Sequence, residues 1–151
     1  MHKNALRKLF EKYIYATPEK GIIFVEKFAI DSLGEYVINI LGGKKRILGS
    51  TRMVKHLYDR KPAEEFDAIL DNLPSVIKSP DAIYKNKASR RGKYCFMKIV
   101  KGSRYLASVE IVKHGRLGVE AEIVTAFRIR DDKYLRDYDL LWSWRDGAHS
   151  S

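Results

Sequence analysis

The chain has 151 residues, 45% hydrophobic and 32% charged, enough for one compact domain or two small lobes sharing a core, and a composition that excludes wholesale disorder. No apolar run approaches the roughly 20 residues of a spanning helix, so a membrane protein is not expected. Cys95 is the single cysteine, which removes disulfide frameworks and multi-cysteine zinc sites. Lysine and arginine number 29 against 19 acids, a net charge of +10. Such a surface concentrates polyanions, with nucleic acid the default partner, although excess charge also serves solubility alone.

The opening MHKNALRKLFEKYIY carries charges throughout and no apolar signal core, so a cytoplasmic location is expected. Leu6, Leu9, Phe10, Tyr13 and Ile14 recur at helical spacing and predict a helix from about Lys3 to Tyr15, stopped by Thr17-Pro18. Two extended segments, Gly21–Ile30 and Glu35–Leu41, suit a hairpin turning at Gly34. Gly42-Gly43-Lys44-Lys45-Arg46 reads as an exposed linker. The seam divides an accessory helix and hairpin over residues 1–44 from a main domain over 45–151.

Ser50 or Thr51 caps a short helix through Arg60, with Val54, Leu57 and Tyr58 as its apolar stripe. A longer helix starts near Pro62 and runs to about Asn72, burying Phe66, Ile69, Leu70 and Leu73; Pro74 and Pro80 predict breaks. From Ala82 the period becomes alternating. Lys93–Lys101, Arg104–Lys113 and Gly118–Ile129 read as long antiparallel strands, and the aromatic segments 134–138 and 140–144 are expected to pack back on the sheet. Helices first and an antiparallel sheet afterwards define an α+β class.

His56 turns roughly 100–200° from the edges of its helix's apolar stripe. It reads as an ordinary exposed histidine or as a proton-exchanging group at a cleft. The four histidines lack chelating spacing and no glycine pattern matches a phosphate loop, so neither metal nor cofactor is expected. Lys85, Lys87, Arg90, Arg91 and Lys93 form a basic cluster suited to nucleic acid, to which Arg128 in the last strand adds a bidentate phosphate donor. In Lys93-Tyr94-Cys95-Phe96-Met97-Lys98, cations interleave with rings as on a base-stacking sheet, or as in an ordinary core strand. Alternation sets Thr125 in phase with Val119, Ala121, Ile123 and Phe127, the apolar face of its strand.

Ser50-Thr51-x-x-Val54-x-His56-Leu57, then Leu73-Pro74-x-x-Ile77-x-x-Pro80-Asp81-x-Ile83-Tyr84, then Ile123-Val124-Thr125-Ala126-Phe127 form an order that resembles the phage-associated nuclease domains of the barnase–EndoU–colicin–RelE-like (BECR) group. The resemblance runs from about Leu48 to Trp142 and implies a small α+β, metal-independent endoribonuclease of toxin, phage or mobile-element type. It implies RNA as substrate, 2′-hydroxyl transphosphorylation as the reaction, and an inhibitory antitoxin as a further partner. By position it assigns His56 as acid or base, Lys98 and Arg104 as charge stabilisers, and Thr125 or Tyr84 as phosphate-positioning groups. Where the family often has a second histidine before a proline, this chain reads Arg60-Lys61-Pro62. The alternatives are a non-catalytic nucleic-acid-binding module and a structural protein docking on an acidic partner.

Overall fold

The computed structural model describes residues 4–86, 94–113, 118–131, 133–136 and 138–144. Helix α1 (Ala5–Tyr13) is followed by β1 (Lys27–Ile30), α2 (Glu35–Ile40) and β2 (Ile47–Ser50). Helices α3 (Thr51–Arg60) and α4 (Ala63–Lys78) precede β3 (Ala82–Lys85), β4 (Tyr94–Val100), β5 (Ser103–Lys113), β6 (Val119–Ile129) and β7 (Asp139–Ser143). The strands form one sheet in the order β1-β2-β6-β5-β4-β3-β7, antiparallel except for the β2/β6 pair. The class is α+β, as the sequence pattern predicts.

The helices form where polar caps meet apolar stripes. The Asn4 side chain accepts from the Arg7 amide at 2.7 Å and starts α1, and Ser50 accepts from the Met53 amide at 3.2 Å and starts α3. Leu6, Phe10 and Ile14 of α1, Val54 and Leu57 of α3, and Phe66, Ile69, Leu70, Leu73 and Ile77 of α4 all bury in one core. That core lies on the sheet face carrying Ile47, Phe96, Ala107, Val109, Ala121, Ile123 and Ala126. Residues 1–44 thus contribute α1 and β1 to the same core as the rest. Tyr36 of α2 stacks on Trp142 of β7 at 3.8 Å between centroids, so the segment that follows edge strand β1 reaches the opposite edge of a curled sheet.

A second, smaller cluster lies on the opposite sheet face. Ala82, Cys95, Met97, Leu106 and Ile129 bury there beneath Tyr84, Phe127, Leu135 and Tyr138. The segment expected to pack back on the sheet therefore covers part of this face, and residues 139–143 pair with β3 as its edge.

Two expectations fail locally, each for a physical reason. The predicted hairpin does not form: Glu35–Ile40 is helix α2, and β1 pairs instead with β2, whose residues lie past the supposed linker. Val37, Ile38 and Ile40 suit either state, and the outcome turns on where the apolar side must face. Gly49 of β2 suits this pairing, because the Phe28 ring opposite occupies the space a Cβ there would take. Helix α4 continues through Pro74 to Lys78. Pro74 cannot donate to the Leu70 carbonyl, and the Asn4 side-chain amide supplies that bond at 3.2 Å. Of the two readings left open for the Lys93–Lys98 segment, the core one holds for Phe96, which is fully buried in the large core.

Candidate nucleic-acid site

The face of the sheet away from α1 and α4 carries a polar row fixed by register. Tyr84 stands opposite Cys95, Cys95 opposite Ser108, and Ser108 opposite Thr125. Regular alternation would leave Thr125 on the core side with Ile123. The register shifts between Ser108 and Val109, so that Val109 faces Ile123 while Ser108 faces Thr125, and Val124 is the extra residue of a β-bulge. The bulge turns Thr125 onto the Ser108 side, opposite to the phase read from the sequence.

Thr125 also lies on an open edge. Strand β2 pairs with β6 only at Ala121 and Glu122, and α3 follows directly from β2. At one end of α3, Arg52 lines a pocket of about 280 Å³ with Ser50, Lys27, Glu122 and Ile123. At the other end, the Lys61 ammonium lies 5.6 Å from the centroid of the Phe127 ring. The helix therefore runs beside β6 from residue 122 to residue 127. His56 stands near the middle of this helix. His56 is exposed, and so are Arg52 and Arg60 one turn before and after it. A spacing of four residues puts the three on one stripe of the helix.

The opposite flank of α3 is structural. Lys55 is buried, and its ammonium donates to the Pro18 carbonyl and to Asp59, each at 2.7 Å. Asp59 also accepts from the Lys20 amide at 3.0 Å, and Tyr58 from the Ala16 amide at 3.3 Å. Burial alone would raise the Asp59 carboxyl; the Lys55 and Lys20 hydrogen bonds and the Lys55 and His56 charges outweigh it and hold the group below its usual range. These bonds lock the loop before Gly21 to α3 and fix the rotation that sends His56 outward.

The remaining expected residues divide. Tyr84 lies on the Thr125 face, three strands away, so their backbones are about 14 Å apart. Burial raises the Tyr84 phenol while the nearby Arg104 guanidinium draws it back, so Tyr84 is a donor at neutral pH. Arg104 lies on that same face opposite Ile129, four residues and about 13 Å along β5 from Ser108. Lys98 does not join them: it stands opposite Tyr105 on the core side and its ammonium donates to the Ser79 carbonyl at 2.7 Å, closing the C-terminus of α4. One cleft holding Lys98 with Arg104 and Thr125 is thus not formed, because strand alternation sends Lys98 to the other side. Arg128, opposite Tyr105, and Lys85, opposite Tyr94, also point to the helical side. Lys87, Arg90, Arg91 and Lys93 lie outside the described residues.

Cys95 in the middle of the row is buried, which pushes its thiol up to about 11, with the Ser108 hydrogen bond opposing. Sequence reasoning misses Ser108, Arg52 and Arg60. The two arginines carry a visible signal, since each stands four residues from His56, whereas Ser108 becomes legible only through the register.

Among the described residues no three histidine, cysteine or acidic side chains group as a metal site, and no helix is long and apolar enough to cross a membrane. Compared with protein-family models, curated proteins and solved structures, the chain matches none.

Proposed function

We propose that the protein is a metal-independent endoribonuclease of the BECR kind, taking RNA at the seam where α3 runs beside β6. The carrying observation is the Val124 bulge, which turns Thr125 out of the core side on the stretch of β6 that has no β2 neighbour and beside which α3, the helix of His56, runs. Bulges re-aim side chains next to active sites, and this one acts on the hydroxyl that the family resemblance singles out. The formal charge of +10 supplies the long-range attraction for RNA.

In the reaction the ribose 2′-oxygen attacks the adjacent phosphorus. The bond to the 5′-oxygen breaks, and a 2′,3′-cyclic phosphate and a 5′-hydroxyl end result. The nucleophile resides in the substrate, so the protein supplies position, proton transfer and positive charge. His56 takes the 2′-hydroxyl proton or delivers one to the leaving oxygen, and the Thr125 hydroxyl donates to a non-bridging phosphate oxygen. Arg104 and Tyr84 are too far along the face to share that phosphate and hold a more distant part of the strand.

The test is product analysis on a single-stranded RNA in excess chelator, beside the same sequence as DNA and as 2′-O-methyl RNA. Cyclic-phosphate ends from RNA alone are expected. Binding to all three without cleavage would leave a nucleic-acid-binding module in place of the enzyme.

A further inference from the structure

Helix α3 repeats an exposed basic residue every turn along one stripe: Arg52, His56, Arg60. Successive members are about 6 Å apart along the axis, close to the stretch of one nucleotide of extended backbone. Neither arginine makes a hydrogen bond or ion pair with a described residue. This contrasts with Arg7, Arg46 and Arg130, which are held by Asp71, Glu120 and Glu65. Lys55 and Asp59, one position away from this stripe, are by contrast committed to the fold. The helix thus separates structural charges on one flank from uncommitted guanidinium groups on the other.

We propose that Arg52 and Arg60 are phosphate-positioning residues that grip the backbone phosphates on either side of the one at His56. Resting on the ribonuclease reading, this defines a footprint of three consecutive phosphates of a single strand lying along α3. Guanidinium groups fit because they hold phosphate oxygens through two parallel hydrogen bonds and remain charged at every relevant pH. A single strand fits because the stripe is one residue wide and its members follow one another at about the spacing of successive phosphates. Arg52 and Arg60 act on strand placement, while proton transfer stays with His56.

The experiment measures binding of a 2′-O-methyl RNA tetranucleotide, which cannot be cleaved, by the full-length protein over a salt series. For single strands the slope of log affinity against log salt falls by about 0.7 for each phosphate that is no longer neutralised. Arg52→Ala and Arg60→Ala should each lower the slope by about 0.7 and the double variant by about 1.4. Shortening the oligonucleotide to a dinucleotide should weaken wild-type binding and leave the double variant little affected. In cleavage of ordinary RNA, the arginine variants should raise KM more than they lower kcat. Unchanged slopes in both single variants would overturn the proposal, as would absence of RNA binding at low salt. Reduced slopes with no cleavage by the wild type would sustain the phosphate ladder and reject the enzyme; cleavage with unchanged slopes would do the reverse.

Discussion

Thr125 stands directly across from Ser108, on the face opposite to Ile123 two residues earlier in the same strand. Only the extra residue Val124 makes that possible, and the bulge sits where β6 has lost its β2 neighbour. Thr125→Val preserves shape and removes the hydroxyl. A hydrogen bond to a charged oxygen is worth about 1.5–3 kcal/mol, so RNA turnover should fall by about 10–100-fold while the unfolding midpoint moves little. Matched denaturation curves with unequal cleavage rates are the expected pair of results; equal rates would make Thr125 a bystander.

Asn4 serves two helices at once, capping α1 through its oxygen and meeting the Leu70 carbonyl through its nitrogen. Asn4→Ala removes a cap worth about 1 kcal/mol and strands a half-buried acceptor at a cost of about 1–3 kcal/mol, so a loss of about 2–4 kcal/mol is expected by urea unfolding. Pro74→Ala would restore the backbone donor to Leu70. In that background Asn4→Ala should cost only the cap, a non-additivity that a double-mutant cycle reads directly.

The course of α4 and the position of Thr125 show what the sequence could and could not reveal. The apolar stripes of α1, α3 and α4 and the alternation of β4, β5 and β6 are legible because burial on one side imposes the period. Pro74 reads locally as a break, and only the distant Asn4 amide makes the helix continue. Glu35–Ile40 reads as a strand, but with a bend at Gly34 its side chains serve a helix whose Tyr36 ring finds Trp142 at the far end of the chain. A bulge is invisible to a period-2 count, so alternation alone assigns Thr125 to the wrong side; a 3.6-residue period suffices to place His56 on an exposed helix face.

Asp59 gives the fold a pH dependence of known sign. Its carboxyl is held below the ordinary value of 3.8, so the stabilisation from its bonds to Lys55 and Lys20 is complete above that value. It is lost as pH falls through the depressed folded value. Urea midpoints measured from pH 6 down to pH 2 should drop more steeply for the wild type than for Asp59→Asn. Parallel curves would mean that the pair carries no ionic stabilisation.

Cys95 should be inert. With its thiol pushed up to about 11 from an ordinary 9.0, little thiolate exists at pH 8, and the group is buried as well. Alkylation in the native protein should be far slower than in urea. The raised value also favours the folded state below pH 9.0, and that contribution should disappear as pH rises through about 11. Rapid native-state modification at pH 8 would contradict the packing of Leu135 and Tyr138 over this row.

The most direct measurement is single-turnover cleavage of a short single-stranded RNA by the wild type and by His56→Ala, both in excess chelator, with the cut ends identified. A general acid–base contributes about 10²–10⁴-fold, so the variant should be slower by that factor while binding 2′-O-methyl RNA as tightly as the wild type. Cleavage that chelator abolishes, equal rates in the two proteins, or no cleavage by the wild type would each contradict an endoribonuclease centred on His56 and Thr125.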